Sequence, residues 1–363
     1  MIAINLKRQN ILLALLGLLS VAWILLLSDG SDPYSAAGDL LPRKLLADPG
    51  EMSGLEKSAA LRSSGSREAY ELLAETYDEK KSVIFLIAFG ERATSTTYVE
   101  RTIMSLRRRG EYQGRVLLLT DAPDERYDGL FDENVIVMHP KEEHLKTDFD
   151  FPAMTVKRFK TYIIDYVDMV PELDAVEWIY YVDIDILFGA PFRDLIQKLG
   201  EENKIQGDNN FSSKLYFFKN SFVDQYVAQS GFMIAQRKTS NTANHCLRLW
   251  RSVIDSQLKL EHDQSSLNLI SKDIESGKEH RCQLVIMEQG DHISFPHNNR
   301  DLEAMAKDST YTSLIHIKNT SKSTSFGEGV HEKFVSDVLM LSDDEMKNGK
   351  LLEKTTFGMS HLS

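Results

Sequence analysis

From residue 82 onward, short apolar runs alternate with stretches of mixed polarity. Four of the runs are almost wholly apolar, as in strands buried on both faces of a sheet; they are SVIFLIAF from Ser82, RVLLLTD from Arg115, VIVMHP from Val135 and WIYYVDID from Trp178. Between them, TYVERTIMSLRRRG and FKTYIIDYVDMV have helical spacing, and Gly110 is predicted to close the first of these helices. The alternation predicts an α/β fold with a mainly parallel sheet flanked by helices. Ligands of such sheets bind beyond the carboxyl ends of the strands.

An uninterrupted apolar stretch, residues 11–27, precedes this alternation. Lys7 and Arg8 lie just before it and Asp29 and Asp32 just after it, so the N-terminal side is expected to stay in the cytosol. We predict a single-pass signal anchor; a cleaved signal peptide, the alternative, usually has a shorter apolar region that ends in small residues. The predicted organisation is a cytosolic tail (1–10), a transmembrane helix (11–27), a flexible stem rich in Ser, Gly, Asp and Pro (28–65) and a lumenal domain (66–363).

Composition narrows the class of protein. The 363 residues are 42% hydrophobic, as in a globular protein, and 54 acidic against 42 basic side chains give a net charge of −12. This balance argues against a nucleic-acid-binding surface, which needs clustered Lys and Arg. Cys246 and Cys282 either pair in an oxidising lumen or remain two buried thiols, and the sequence leaves both open. Asn210 and Asn319 head sequons that would be glycan acceptors in that compartment.

Two aspartates, Asp183 and Asp185, end the fourth apolar run. An unpaired buried carboxylate is costly, so this position predicts a positive partner. Residues i and i+2 of an extended chain share a face, and Mn²⁺ or Mg²⁺ accepts oxygen ligands while leaving positions for substrate phosphates. A strand-end turn or helix cap is the alternative. The same spacing recurs at Asp148 and Asp150, where a solvated turn or a helix entry is the favoured interpretation.

Five segments follow one another along the chain: IAFGERATSTTYVE, YYVDIDILFG, QSGFMIAQR, HDQSSLN and HIKNTSK. In this order they resemble the motifs of GT-A fold glycosyltransferases, most closely the glycogenin-like, retaining branch. The resemblance lies in the order of the motifs rather than in close identity. It implies a GT-A (Rossmann-like) sheet, a bound Mn²⁺ or Mg²⁺, a nucleotide-diphosphate sugar donor, expected to be a UDP-sugar, and a glycan, protein or lipid acceptor.

The resemblance also implies a ligand set for the metal. The three ligands would be Asp183, Asp185 and His316, the last through a neutral imidazole nitrogen. Lys322 would reach the leaving diphosphate as a point charge. The sequence departs from the family where Asn319 replaces a glycine and Ser323 a proline. Asn tolerates a left-handed backbone, so we expect the turn to survive, although a glycan on Asn319 would block the site. His297 is the alternative to His316 as the third metal ligand.

The resemblance also implies which residues contact the donor. Backbone groups of Ala88, Phe89 and Gly90 would contact the base and ribose, Lys157 or Arg158 would lie near the nucleotide-sugar, and Ser230 with Gly231 would form a close turn beneath the sugar. An ordinary strand-to-helix turn, a solvated helix face and a generic tight turn explain these residues nearly as well. Asp263 and Gln264 would lie beside the sugar and acceptor, where a carboxylate stabilises positive charge at the anomeric carbon. A helix N-terminus is the alternative for this pair.

Three functional hypotheses follow. The first is a metal-dependent, retaining glycosyltransferase anchored in the Golgi or ER membrane with its catalytic domain in the lumen. The second is a lumenal binding or scaffold protein on a decayed transferase fold, kept open by Asn319 and Ser323. The third, ranked below both, is a phosphatase with Asp183 as nucleophile and Asp185 as acid, because such enzymes place these residues after the first strand of the domain. Donor and acceptor specificity would lie in loops such as 201–222, which carry no readable code.

Overall fold

A computed structural model describes residues 77–94, 97–145, 148–202, 213–220, 225–237, 244–296, 298–308, 311–317 and 328–351. The strands within these ranges are β1 (Ser82–Ala88), β2 (Arg115–Thr120), β3 (Val135–Met138), β4 (Trp178–Val182), β5 (Ile186–Phe188), β6 (Ser213–Lys219), β7 (Ala228–Gln236), β8 (Cys282–Met287), β9 (Ile293–Ser294) and β10 (Leu314–His316). The α-helices are α1 (Glu91–Thr94), α2 (Tyr98–Arg108), α3 (Ala153–Arg158), α4 (Ile163–Val167), α5 (Phe192–Glu202), α6 (Asn244–Ser256), α7 (Asp263–Glu275), α8 (Asn299–Asp308), α9 (Glu328–Leu339) and α10 (Asp343–Asn348). Short 3₁₀ turns lie at Glu79–Lys81, Asp124–Arg126, Glu142–His144, Phe159–Tyr162 and Pro171–Leu173.

The central sheet has seven strands in the order β3-β2-β1-β4-β7-β6-β8. Six of them run in one direction, and β7 alone is antiparallel, to both β4 and β6. The prediction of a mainly parallel sheet is therefore confirmed, and all four predicted strands are present. Because β1 and β4 are parallel neighbours, their carboxyl ends meet at the same edge of the sheet.

Helices cover both faces of this sheet. β1 is buried along its whole length, and its alternate residues enter two different cores. Ile84 and Leu86 pack on the side of α2 and α5, whereas Val83 and Phe85 pack on the side of α4, α6 and α7. This explains why the strand reads as a continuous apolar run instead of alternating, since neither face meets water.

A smaller sheet lies at the carboxyl edge and has the order β5-β10-β9. Its middle strand, β10, is antiparallel to β5, with His316 opposite Ile186. Helices α8 and α9 close this sheet with a separate apolar cluster that includes Leu302, Ile315 and Phe334. The chain thus returns, after more than a hundred residues, to place a histidine beside the segment that follows β4.

Cys246 and Cys282 form a disulfide with a Cα–Cα distance of 5.0 Å. Both cysteines are fully buried, and the bond joins α6 to the edge strand β8. The structure thus settles the alternative that the sequence left open in favour of pairing.

Gly110 has a different role from the one predicted. α2 ends at Arg108, and the next residue keeps a right-handed helical backbone. A Cβ on Gly110 would lie 2.5 Å from the carbonyl oxygen of Leu106, so glycine is required there by close approach and not by a left-handed cap.

The predicted membrane segment, residues 11–27, and the predicted stem lie outside the described ranges. Inside those ranges, no helix combines the length and the apolar character needed to cross a bilayer. The anchor therefore stays a prediction.

Candidate active site

The chain leaves β4 through a tight turn that carries both aspartates. β4 ends at Val182, and the Ile186 N–H donates to the Asp183 carbonyl oxygen at 3.1 Å before β5 begins. The predicted alignment of Asp183 and Asp185 on one face of an extended strand is therefore wrong in its geometry. A turn brings the two residues together instead, because β5 departs toward the smaller sheet.

His316 reaches the same turn from β10. The Ile317 N–H donates to the Asp185 carbonyl oxygen at 3.0 Å, which fixes the end of β10 against the turn. His316 Nε2 lies 3.1 Å from Asp185 Oδ1. One ligand atom from each of Asp183, Asp185 and His316 lies within 4.8 Å of the others. The structure thus brings together the three residues predicted as metal ligands.

These side chains fit a divalent cation. The side chain of Asp185 is 10% exposed and that of His316 4%. His316 Nδ1 is buried without a hydrogen-bond partner in the described part of the chain, which is costly unless a ligand contacts it, and Asp185 Oδ1 is buried against His316 Nε2. Burial alone would raise the pKa of Asp185, but His316 and Arg92 hold it well below its ordinary value, which keeps the carboxylate ionised. Two carboxylates and an imidazole are suitable ligands for Mn²⁺.

Gly231 allows these ligands to approach each other. A Cβ on this residue would lie 3.0 Å from Asp183 Oδ2 and 3.1 Å from His316 Cε1, so any larger residue would intrude between two of the ligands. The Asp183 N–H donates to the Gly231 carbonyl oxygen at 2.8 Å, which ties the turn to β7. Glycine is therefore needed here for the site itself.

Ser230 and Gly231 lie within β7 and do not form the predicted close turn. The pairing of β7 with β6 shifts register at this point, since Phe217 is opposite Met233 and Phe218 is opposite Gln229. Residues 230–232 consequently have no partner in β6. A break in strand pairing of this kind bends the strand locally and can turn its side chains toward a site. The periodicity of the sequence does not reveal it.

Lys160 is a central residue of the site that the sequence reasoning missed. Its Nζ lies 3.3 Å from Asp183 Oδ1, 3.0 Å from Asp263 Oδ2 and 3.0 Å from the Ser230 carbonyl oxygen. The residue is 5% exposed, and Tyr181 lies beneath it with the ring centroid 5.0 Å from Nζ. Burial lowers the pKa of Lys160, but Asp183 and Asp263 outweigh burial and raise it above its ordinary value. A buried ammonium thus joins one predicted metal ligand to the predicted catalytic carboxylate.

Asp183 is held from two directions. Its Oδ1 accepts from the Tyr181 hydroxyl and contacts Lys160, while Oδ2 is the atom nearest the Cβ position of Gly231. One oxygen is therefore engaged by protein donors, and the other lies on the side of His316. Burial and the nearby Asp183 raise the pKa of Tyr181 well above its ordinary value, so its hydroxyl remains a donor.

Asp263 and Gln264 begin α7, as the alternative interpretation of this pair expected. Asp263 is nevertheless buried, at 3% exposure, and lies in the site through Lys160. Burial alone would raise the pKa of Asp263, whereas Lys160 and Lys157 hold it well below its ordinary value. Gln264 donates to Gln229 and accepts from Asn220 at 3.1 Å, which fixes its amide. The pair thus supplies an ionised carboxylate and an oriented amide next to the predicted metal ligands.

The side chains of Lys157 and Arg158 have different surroundings. Lys157 Nζ lies 3.8 Å from Asp263 Oδ1 and 3.3 Å from the Glu261 carbonyl oxygen, at the rim of the site. Arg158 makes two hydrogen bonds to Asp255, at 2.6 and 2.9 Å, and stacks on Tyr162. The structure gives Arg158 a packing role outside the cluster, and its contact with a nucleotide stays a prediction.

The end of β1 approaches the same edge. Gly90 has φ of +61° and donates its N–H to both carboxylate oxygens of Asp121 at 2.9 Å, which fixes the strand-to-helix turn. Ala88 is buried as the last residue of β1, and Phe89 stacks on Phe159 with ring centroids 4.9 Å apart. Arg92, which the sequence reasoning did not single out, lies just beyond the turn, with Nη1 3.7 Å from Asp185 Oδ2.

A sequence signal for Lys160 existed. Lys157 and Lys160 are three residues apart, so on a helix they share a face, whereas Arg158 points elsewhere. Combining this spacing with the buried carboxylates predicted downstream would have favoured the two lysines over Arg158. Arg92 and Asp121 carry no comparable local pattern, since their positions follow only from adjacent strands ending at one edge.

Several predicted residues lie outside the described ranges. Lys322, Asn319 and Ser323 follow β10, His297 lies between β9 and α8, and Asn210 belongs to the segment 201–222, of which the structure describes 201–202 and 213–220. Their predicted roles, and the choice between a turn and a glycan at Asn319, therefore stay predictions. The structure therefore does not test His297 as the third ligand, whereas His316 lies in one cluster with Asp183 and Asp185. Residues 213–219 of the segment 201–222 form β6, so the prediction of a loop there is wrong.

Comparisons with known proteins give a structural likeness only. No family model and no curated protein matches the chain. Among solved structures it is similar to the glycosyltransferase GlyE of Streptococcus pneumoniae TIGR4, with 17% identity and a TM-score of 0.44 over 75% of this chain and 63% of that one, less than two thirds of its length. It is also similar to the galactosyltransferase LgtC, with 14% identity and a TM-score of 0.47 over 74% of this chain and 99% of that one.

A third similar structure is a glycosyltransferase involved in glycosylation of the major capsid of PBCV-1, with 10% identity and a TM-score of 0.40 over 72% of this chain and 99% of that one. All three TM-scores lie below 0.5. The function proposed below rests on the site of this chain.

Proposed function

We propose that this protein is a metal-dependent glycosyltransferase of the GT-A type that transfers a sugar from a nucleotide-diphosphate donor. One observation carries the proposal: the cluster of Asp183, Asp185 and His316, in which the buried His316 Nδ1 has no hydrogen-bond partner among the described residues, adjoins the buried pair of Lys160 and Asp263. A cation site and an ionised carboxylate side by side at the carboxyl edge of the sheet suit transfer of a sugar away from a diphosphate.

Each residue then has a defined task. Asp183, Asp185 and His316 would hold the cation, which supplies positive charge to the departing diphosphate when bound. Lys160 contacts the carboxylates of both Asp183 and Asp263 and fixes the distance between them, and it helps to hold the pKa of Asp263 low. Asp263 presents negative charge where the anomeric carbon becomes positive, and its low pKa ensures that it is not protonated at neutral pH.

The finer assignments extend the same proposal. We infer a UDP-sugar donor, an acceptor that is a glycan, protein or lipid, and retention of the anomeric configuration, all from the motif resemblance. The buried Cys246–Cys282 disulfide supports a lumenal catalytic domain, because disulfides persist in oxidising compartments. Together with the apolar stretch at 11–27, it favours a single-pass type II protein of the Golgi or ER membrane.

The test is the melting temperature of the full-length chain in detergent with UDP, GDP or CDP, each with and without Mn²⁺. A ligand present at about a hundred times its Kd stabilises the folded state by about 2.7 kcal/mol, which is readily measured. We expect one nucleotide to raise the melting temperature only with Mn²⁺. Asp185→Asn and His316→Gln should abolish this shift.

His292→Gln is the matched control for His316→Gln. His292 is also a buried histidine, at 2% exposure, but its Nε2 contacts Glu202 Oε2 at 2.5 Å, and it does not belong to the cluster of three ligands. The control should keep the nucleotide-dependent shift even if its own melting temperature falls. Equal loss in both variants would mean that the effect reports general destabilisation and would remove the support for a metal site.

Two other outcomes identify the competing functions. A folded wild-type protein that responds to no nucleotide, with or without Mn²⁺, would replace the enzyme by a binding or scaffold protein on a transferase fold. Release of phosphate from p-nitrophenyl phosphate that is lost in Asp183→Asn would indicate the phosphatase. Once a donor is known, proton NMR of the first-formed product distinguishes retention from inversion.

A further inference from the structure

The backbone of the metal-binding turn is fixed by three separate elements. The Asp183 N–H bonds to β7 through the Gly231 carbonyl, and the Asp185 carbonyl accepts from Ile317 at the end of β10. Two further carbonyls of this segment, those of Ile184 and Ile186, are the neighbours of Asp185 on either side. Both accept from one side chain, the hydroxyl of Thr102 on α2, at 2.7 and 3.0 Å.

Thr102 is well placed for this contact. It is fully buried, and α2 packs its inner face directly against the turn and β5. Ser105, one helical turn further on, accepts from the Phe188 N–H at 3.0 Å and donates to the Thr102 carbonyl oxygen at 2.9 Å. Two hydroxyls on one face of α2 thus hold the turn and the strand that follows it.

We propose that Thr102 is a positioning residue for the metal site, and that its hydroxyl sets the orientation of Asp185 toward His316. The proposal rests on the metal site of the proposed function. Asp185 lies in the chain between the two residues whose carbonyls Thr102 holds, so loss of the hydroxyl frees the backbone on both sides of the ligand. Groups that hold metal ligands from behind typically affect metal affinity by about 10- to 100-fold when they are removed.

The experiment measures Mn²⁺ binding to the full-length chain without nucleotide, from the electron paramagnetic resonance signal of free Mn²⁺. Thr102→Val keeps the shape of the side chain and removes the hydroxyl, and we expect about tenfold weaker binding. Thr102→Ser restores the hydroxyl and should bind within about twofold of wild type, a rescue that a purely packing role of the threonine methyl would not produce.

Ser82→Ala is the matched control, since it also deletes a buried hydroxyl that donates to a carbonyl, that of Asp78 at 2.8 Å, but at the opposite end of β1. It should lower the melting temperature without changing Mn²⁺ affinity. If Thr102→Val does not fold, Ser105→Ala removes the next hydroxyl of the same face and should weaken Mn²⁺ about threefold, below the effect of a directly bonded group.

The outcomes separate this proposal from the one on which it rests. Tight Mn²⁺ binding by wild type and by Thr102→Val alike, or failure of Thr102→Ser to rescue, overturns the role of Thr102 and leaves the metal site intact. Absence of Mn²⁺ binding in wild type overturns both. Weakened binding in Thr102→Val with rescue by Thr102→Ser and an unchanged Ser82→Ala supports the positioning role.

Discussion

The chain contains the same aspartate spacing twice, and the two copies have opposite surroundings. Asp148 and Asp150 are exposed and flank a buried Phe149 ahead of α3, as the solvated-turn interpretation predicted. Asp183 and Asp185 flank Ile184 at the end of a central strand, with side chains 24% and 10% exposed. The tripeptide pattern is therefore not what makes a site. Burial, and the groups that the fold brings to the carboxylates, separate the second copy from the first.

Partners at long sequence distance account for most of this difference. Asp183 and Asp185 meet Lys160, Gly231 and His316, each supplied by a different element. The backbone N–H of Asp150 instead bonds to the carbonyl of Leu258, a contact that leaves its carboxylate in solvent. Removing the partners of Asp183 and Asp185 should therefore lower the free energy of unfolding far more than removing the exposed pair, Asp148 and Asp150, itself.

The largest loss of stability is expected for Lys160→Met. The substitution leaves the buried carboxylate of Asp263 and the partly exposed carboxylate of Asp183 without their shared cation, so the free energy of unfolding should fall by about 3–5 kcal/mol. Urea unfolding at neutral pH measures it. Lys219→Met is the control, because Lys219 is 57% exposed in its pair with Glu288 and should contribute no more than about 1 kcal/mol. Similar losses in the two variants would contradict the structural importance assigned to Lys160.

Gly231→Ala comes next. The added methyl group lies 3.0 Å from Asp183 Oδ2 and close to the His316 ring, so overpacking should destabilise the fold by about 1–3 kcal/mol. It should also abolish the melting shift with Mn²⁺ and nucleotide. Gly329→Ala, in helix α9 where a Cβ meets nothing within 4 Å, should instead be neutral or stabilise by up to about 1 kcal/mol. Retention of the Mn²⁺ response in Gly231→Ala would argue that the ligands do not converge beside this glycine.

The pH dependence of stability offers a third test. The pKa of Asp263 is lowered in the folded protein, so its ionic contribution is present above the unfolded value of about 4 and is lost as pH falls toward the folded value. The pKa of Lys160 is raised, so its contribution is present below about 10.4 and is lost as pH rises through the folded value. Between these limits the pair stabilises the fold.

Asp263→Asn should accordingly flatten the acid limb of the stability profile. Urea midpoints measured from pH 6 downward should fall more steeply for wild type than for the variant, although the variant begins less stable at neutral pH because Lys160 has lost a partner. Parallel acid limbs in the two proteins would show that Asp263 is not ionised preferentially in the folded state.

The sequence predicted the architecture well because strands buried on both faces leave continuous apolar runs, as β1 and β4 do. The motif resemblance also predicted that Asp183, Asp185 and His316 lie together, as they do, since His316 belongs to a motif of its own. The sequence did not identify Lys160 as the buried basic residue, because KRFK contains three basic residues. Only the direction in which each side chain leaves the helix distinguishes Lys160 from the others. The break in pairing at Gly231 and the bonds from Thr102 depend on contacts between distant segments, which no local pattern encodes.

The smallest effect is expected for the exposed copy, in the double variant Asp148→Asn with Asp150→Asn. Substitutions of solvated side chains usually change stability by less than about 0.5 kcal/mol. The melting shift with Mn²⁺ and nucleotide should remain as in wild type, whereas the same pair of changes at Asp183 and Asp185 should abolish it. Melting curves of the two double variants, recorded side by side, make the comparison directly. If the exposed pair proved necessary for the Mn²⁺ response, burial and long-range partners would no longer explain why one copy of the spacing is the site, and the cation would have to be sought near Phe149 instead.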